Sequence, residues 1–265
     1  MSNIDRVLKA FLQITLPNNI RNCALRTLTL YMIAGFVPKQ FEIWHLADHF
    51  TAALAATPTS SIPFTSETTP EDAMAHIDIW YVRKNQGLPY NSLTQQELIN
   101  YIHSLPSEDL LHAWLLGELA HALGVDARVT EEGKVLPYYK RPYRGCNVLK
   151  DLYWITHIYL IRTQYLHSPL PFLGFMALND ELLVNTAWVV EHKLVDLGAE
   201  IMFCLQKANK EREVPYYELL GLILDHQRVD GTIVDPNIEA TPENIAHTTA
   251  AALIALLGAK ELDLI

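Results

Sequence analysis

The sequence predicts an all-α protein of stacked antiparallel helical hairpins, and three observations carry that expectation. Helix-start signals recur along the chain, strand signals are weak, and most connections between apolar-periodic segments are short. Thr69-Pro70-Glu71-Asp72 and Thr241-Pro242-Glu243 each set a hydroxyl before a proline, with acid in the first turn. The hydroxyl accepts a free backbone N–H, proline suits a position whose N–H would go unpaired, and the acids face the positive helix end. Thr94 with Glu97 forms a capping box, and Asn179-Asp180-Glu181 opens another helix.

These signals and the 3.6-residue apolar period place helices at 3–16, 20–35, 40–56, 70–85, 94–104 and 107–123. Further helices follow at 147–166, 179–190, 191–208, 214–227 and 242–257. Two connections are long. Residues 57–69 are rich in Ser, Thr and Pro, and residues 124–145 contain Pro137-Tyr138-Tyr139-Lys140-Arg141-Pro142-Tyr143. The second reads as a lid, a junction or a surface loop with locally packed tyrosines. A chain of 265 residues suits one domain, here 1–265, with a subdivision into 1–124 and 146–265. Helix pairs recur about every 40 to 50 residues, as stacked hairpins do.

Composition narrows the function classes. Half the residues are apolar and 19% are charged, which fits a chain that buries a core. A net charge of −10 without a Lys/Arg cluster argues against nucleic acid, whose phosphates need basic patches. Cys23, Cys146 and Cys204 are odd in number and widely spaced, so they read as thiols in a reducing cytoplasm. Asp5, Arg6 and Lys9 interrupt the first apolar segment, which therefore lacks a secretory core. No window offers the roughly 18 uncharged apolar residues of a membrane span.

Chemistry-bearing residues concentrate in the C-terminal half. His157 lies on a helix that is apolar around most of its circumference, with Gln164 nearby, so both are expected to be buried. A buried imidazole without a partner costs on the order of 1–3 kcal/mol, so it must bond or coordinate something. A satisfied core histidine meets that need as well as a metal does. Asp151 lies on another stripe, near Arg162. His247 precedes a run of Ala, Leu and Ile, close to a positive helix end that keeps an imidazole neutral for metal binding. His192, Asp196 and Glu200 are spaced i, i+4, i+8 and form one stripe, suited to a divalent metal or to proton transfer. With Lys193 and Lys207 on the same arc, a solvated face of ion pairs explains the stripe too. His45 with His49, and Glu118 with His121, are weaker pairs. Glu118-x-x-His121 has no second copy of the kind a di-iron bundle carries. The Rossmann glycine motif, Walker A, nucleophile-elbow and H-E-x-x-H motifs are absent from the sequence, as are the Asp-rich motifs of terpene synthesis.

Gln227-Arg228-Val229-Asp230-Gly231-Thr232-Ile233 followed by His247-Thr248 resembles the Q-x-x-x-G-x-W element of α/α-toroid proteins, the fold of terpene cyclases and protein prenyltransferase β-subunits. Gln227 and Gly231 match, and Ile233 replaces the aromatic. The resemblance implies a zinc position near Leu194-Val195-Asp196 and His247-Thr248. The family's cysteine would fall at Gly198, so the prenyltransferase zinc set is not reproduced, and Glu200 could stand in. Asp151-Leu152-Tyr153, Thr156-His157, Asp196, Glu200, Asp230-Gly231 and His247-Thr248 also resemble a bacterial family of helical proteins, some associated with natural-product gene clusters.

The expectation is therefore an α/α-toroid-like stack with His157, Asp196, Glu200 and His247 around one divalent iron or zinc. Asp151 or His192 would transfer protons, and the substrate would be a small molecule of specialised metabolism. A helical di-iron oxidase or oxygenase using Glu118 and His121, and a non-catalytic ligand- or partner-binding scaffold, are the alternatives.

Overall fold

Twelve helices make up the regular structure of the described residues, among which there is no strand. The structure, a computed structural model, describes residues 2–57, 64, 65, 67–90, 95–105, 110–126, 148–170 and 175–265. The helices are α1 (Asn3–Gln13), α2 (Ile20–Phe36), α3 (Pro38–Ile43), α4 (Leu46–Ala56), α5 (Pro70–Asn85), α6 (Gln95–Ser104) and α7 (Leu110–Ala122). They continue with α8 (Val148–Arg162), α9 (Met176–Glu191), α10 (Val195–Lys207), α11 (Val214–Asp225) and α12 (Pro242–Glu261). No described helix is long and apolar enough to cross a membrane.

The start signals at Thr69 and Thr241 act as expected. Each hydroxyl accepts the N–H three residues on, from Asp72 and Asn244, at 3.2 Å. Thr94, most of the 124–145 connection and Cys146 lie outside the described residues. Other boundaries move. The helix expected over 40–56 breaks at His45, whose φ of 52° separates α3 from α4. His45 and His49 therefore do not share one helix. The helix expected at Asn179 starts a turn earlier, at Met176, and Asn179 is buried inside it. Gln164 lies beyond the end of α8 with φ 52° and is exposed, not buried.

The chain forms two compact units. One comprises Asn18–Tyr31 and Ala47–Arg141. In it α7 packs on α5 and α6, and Phe64, His76, Trp80 and Tyr101 form an aromatic cluster. Arg83 is buried there, with its guanidinium donating to Pro89 O at 2.7 Å and Thr57 Oγ1 at 3.0 Å. A desolvated charge needs such acceptors.

The other unit comprises Met1–Pro17, Met32–Leu46 and Pro142–Ile265. Its axis is α10, buried at every residue from Val195 to Gln206 and flanked by α8, α9, α11 and α12. The sequence here is apolar around nearly the whole helix, so no face favours water. Small residues permit the approach. A Cβ on Gly198 would crowd Leu222 at 3.1 Å, and one on Gly258 would strike the Gln206 amide. α12 is buried from Thr248 to Ala259 and packs on both α10 and α1.

Candidate metal centre

Three helices of this second unit bring their polar residues to one place. Asp196 and Glu200 are one turn apart on α10, and both are buried. His247 enters from the second turn of α12. One ligand atom from each of Asp196, Glu200 and His247 lies within 4.8 Å of the others. Among the described residues, these three form the group of His, Cys, Asp and Glu that converges so closely.

Asp196 is the hub. Its Oδ1 accepts from His247 Nδ1 at 2.9 Å, and its Oδ2 accepts from the Tyr153 hydroxyl at 2.9 Å. Thr248 adds a side-chain hydrogen bond. Burial pushes the Asp196 pKa up, but the positive His247 and these donors outweigh it and hold the carboxylate below its ordinary range. In return, Asp196 raises the His247 pKa to about 9 against the pull of burial. Glu200 has no such direct cation. Burial and the charge of Asp196 raise its pKa, although His157, His247 and the hydroxyl donated by Thr156 favour the charged form. The burial of the carboxylates and the Asp196–His247 pair therefore leave Glu200 inclined to keep its proton.

Exposure is distributed the opposite way from the sequence expectation. His157 is the imidazole expected to be buried, yet it is only half-buried, and 54% of the His247 side chain stays open to solvent. Tyr153 and His157 are half-buried, while Asp196 and Glu200 form the closed floor. His157 donates through Nδ1 to the Tyr153 carbonyl at 2.7 Å, since a carbonyl can only accept. That bond fixes the orientation of the ring. His157 lies close enough to Glu200 to draw its pKa down, but it is not one of the three convergent ligands.

The remaining expected residues have other places. His192 caps the C-terminus of α9 and donates to Trp188 O at 2.9 Å. Lys193, at φ 53°, then reverses the chain before α10, so the His192–Asp196–Glu200 stripe is not one helix face. Asp151 is buried in the first turn of α8. Glu118 and His121 belong to α7 in the other unit, with His121 4.0 Å from Asp126. Gly198 faces the leucines of α11, so the position a family cysteine would take points into packing. Cys204, one turn beyond Glu200, is a buried thiol whose pKa burial pushes well up.

Sequence reasoning missed Asp235. It is buried, and its Oδ2 accepts the Asp196 N–H at 3.0 Å. The signal available was Val234-Asp235-Pro236-Asn237, which reads only as a turn.

Comparison with family models, curated proteins and solved structures gives no match to this chain.

Proposed function

We propose that Asp196, Glu200 and His247 hold one divalent metal ion, iron or zinc, and that the chain is a metal-dependent enzyme acting on a small molecule. The observation that carries this reading is the convergence of two buried carboxylates and an imidazole within 4.8 Å. Two carboxylates and one imidazole suit borderline divalent ions, and three protein ligands leave positions free for water or substrate. Such an ion supplies Lewis acidity or activates oxygen. The open side of His247 is the side from which a small molecule would arrive, and the half-buried Tyr153 and His157 flank the same residues. His157, its ring held by the Tyr153 carbonyl, is placed to serve in proton transfer there.

The α/α-toroid likeness belongs to the same proposal. Two observations support it: Gln227 donates to the carbonyl of Asn3 at the start of α1 at 2.9 Å, and Gly231 turns with φ 93°.

Metal analysis of untagged protein tests the reading. One equivalent of iron or zinc is expected, with Glu200→Gln and His247→Ala losing it while remaining folded. Retention of metal by both variants would refute the site.

A specific bond favours a second reading. The His247 Nδ1 to Asp196 Oδ1 contact, on a side chain partly open to solvent, is the arrangement of a proton-transfer dyad that needs no metal. Absence of metal binding, together with loss of activity in His247→Ala, would select it.

A further inference from the structure

The segment between α11 and α12 makes a series of bonds that the candidate site depends on. Ile233 N–H donates to Thr249 Oγ1 at 3.1 Å, seating the segment on α12. Two residues on, Asp235 is 4% exposed and uses both carboxylate oxygens. Oδ2 accepts the Asp196 N–H, and Oδ1 accepts the Asn237 N–H at 2.8 Å and its Nδ2 at 3.2 Å. Asn237 Nδ2 also reaches the carbonyls of His192 and Lys193, at 2.9 and 3.0 Å.

The consequence follows from helix ends. The first N–H groups of α10 have no partner within the helix, and its N-cap residue, Leu194, has no side chain that can accept one. Asp235 supplies that acceptor from 39 residues away. Asn237 does the matching task for the carbonyls of the α9–α10 turn. The pair thus holds both sides of the turn from which Asp196 projects.

We infer that Asp235 is a positioning residue that fixes the Asp196 carboxylate against His247 by capping the start of α10 through the Asp196 N–H. It touches no proposed ligand atom and acts through the backbone of one. The inference rests on the metal reading for one of its two measurements and is independent of it for the other.

The test compares Asp235→Ala, which deletes the acceptor, with Asp235→Asn, which keeps a carbonyl oxygen in place. Zn²⁺ affinity is measured by titration of metal-free protein, and the His247 Nδ1–H is observed by NMR. Asp235→Ala is expected to weaken Zn²⁺ binding about 10- to 100-fold, the usual effect of losing a group that orients a ligand. It is also expected to lose the hydrogen-bonded Nδ1–H signal, while Asp235→Asn retains the signal and stays within about 3-fold of wild-type affinity. A folded Asp235→Ala protein with wild-type affinity and signal overturns the inference. So does an Asp235→Asn protein as impaired as the alanine variant, because an acceptor oxygen for the Asp196 N–H would then not be enough to position the carboxylate. If Asp235→Ala does not fold, Asp235→Asn and Asp235→Ser, with and without a well-placed acceptor, decide it by the same criteria. Should wild-type protein bind no Zn²⁺, the metal reading fails, and the Nδ1–H signal alone judges Asp235.

Discussion

At the scale of the residue, the informative fact is how three titratable groups neutralise one another. His247 carries a proton to about pH 9 because Asp196 sits 2.9 Å away, and Glu200 is inclined to hold one as well. A divalent ion entering this cluster must displace protons, so its affinity rises with pH. With His247 alone released, Zn²⁺ affinity should climb about tenfold per pH unit between pH 6 and 8 and level off near 9. Calorimetric titration in buffers of different ionisation enthalpy would count the protons, and a pH-independent affinity would contradict the site. Tyr153 has a separate task. Burial first, and then the carboxylates of Asp196, Glu200 and Asp235, keep its hydroxyl protonated, so it is a permanent donor to Asp196 Oδ2. That bond leaves Oδ1 as the oxygen facing His247. Tyr153→Phe should therefore lower stability by about 1–2 kcal/mol and metal affinity by about tenfold, measured by thermal melting and titration.

At the scale of the element, caps and turns decide where ligands point. The hydroxyl cap of Thr241 starts α12 so that His247 falls in its second turn, beside α10. This cap was legible in the sequence because it is a local bond between neighbours. The cap of α10 was not, since its acceptor is Asp235. The same distinction explains His192. Its spacing from Asp196 suggests one helix face, but Lys193 in the left-handed region ends α9 there, and no local sequence signal marks it. Gly231 joins the two kinds of information. Its φ of 93° and the Arg6 carbonyl beside it both exclude a side chain. Gly231→Ala should cost at least about 1–3 kcal/mol, seen as a lower denaturant midpoint, while Thr232→Ala next to it should cost less.

At the scale of the whole molecule, burial and charge act together on stability. The folded pKa of His247, about 9, lies above its ordinary 6.5. Its contribution is therefore complete below about pH 6.5 and is lost as pH rises through 9. Metal-free protein should show a melting temperature that falls across that window, and His247→Ala should flatten the fall. Saturating metal should reverse the trend, because binding to the folded state then strengthens with pH. The all-α class, the two proline-marked helix starts and the pairing of Asp196 with Glu200 followed from the sequence alone. Each depends on neighbours within one or two turns, where residue type dictates geometry directly. Tertiary structure decided that Asp196 and Glu200 face inward, that His247 and not His157 completes the convergent set, and that Asp235 anchors it. Those outcomes depend on which helices pack around α10, and packing is chosen by the burial of all its faces together rather than by the residues of any single one.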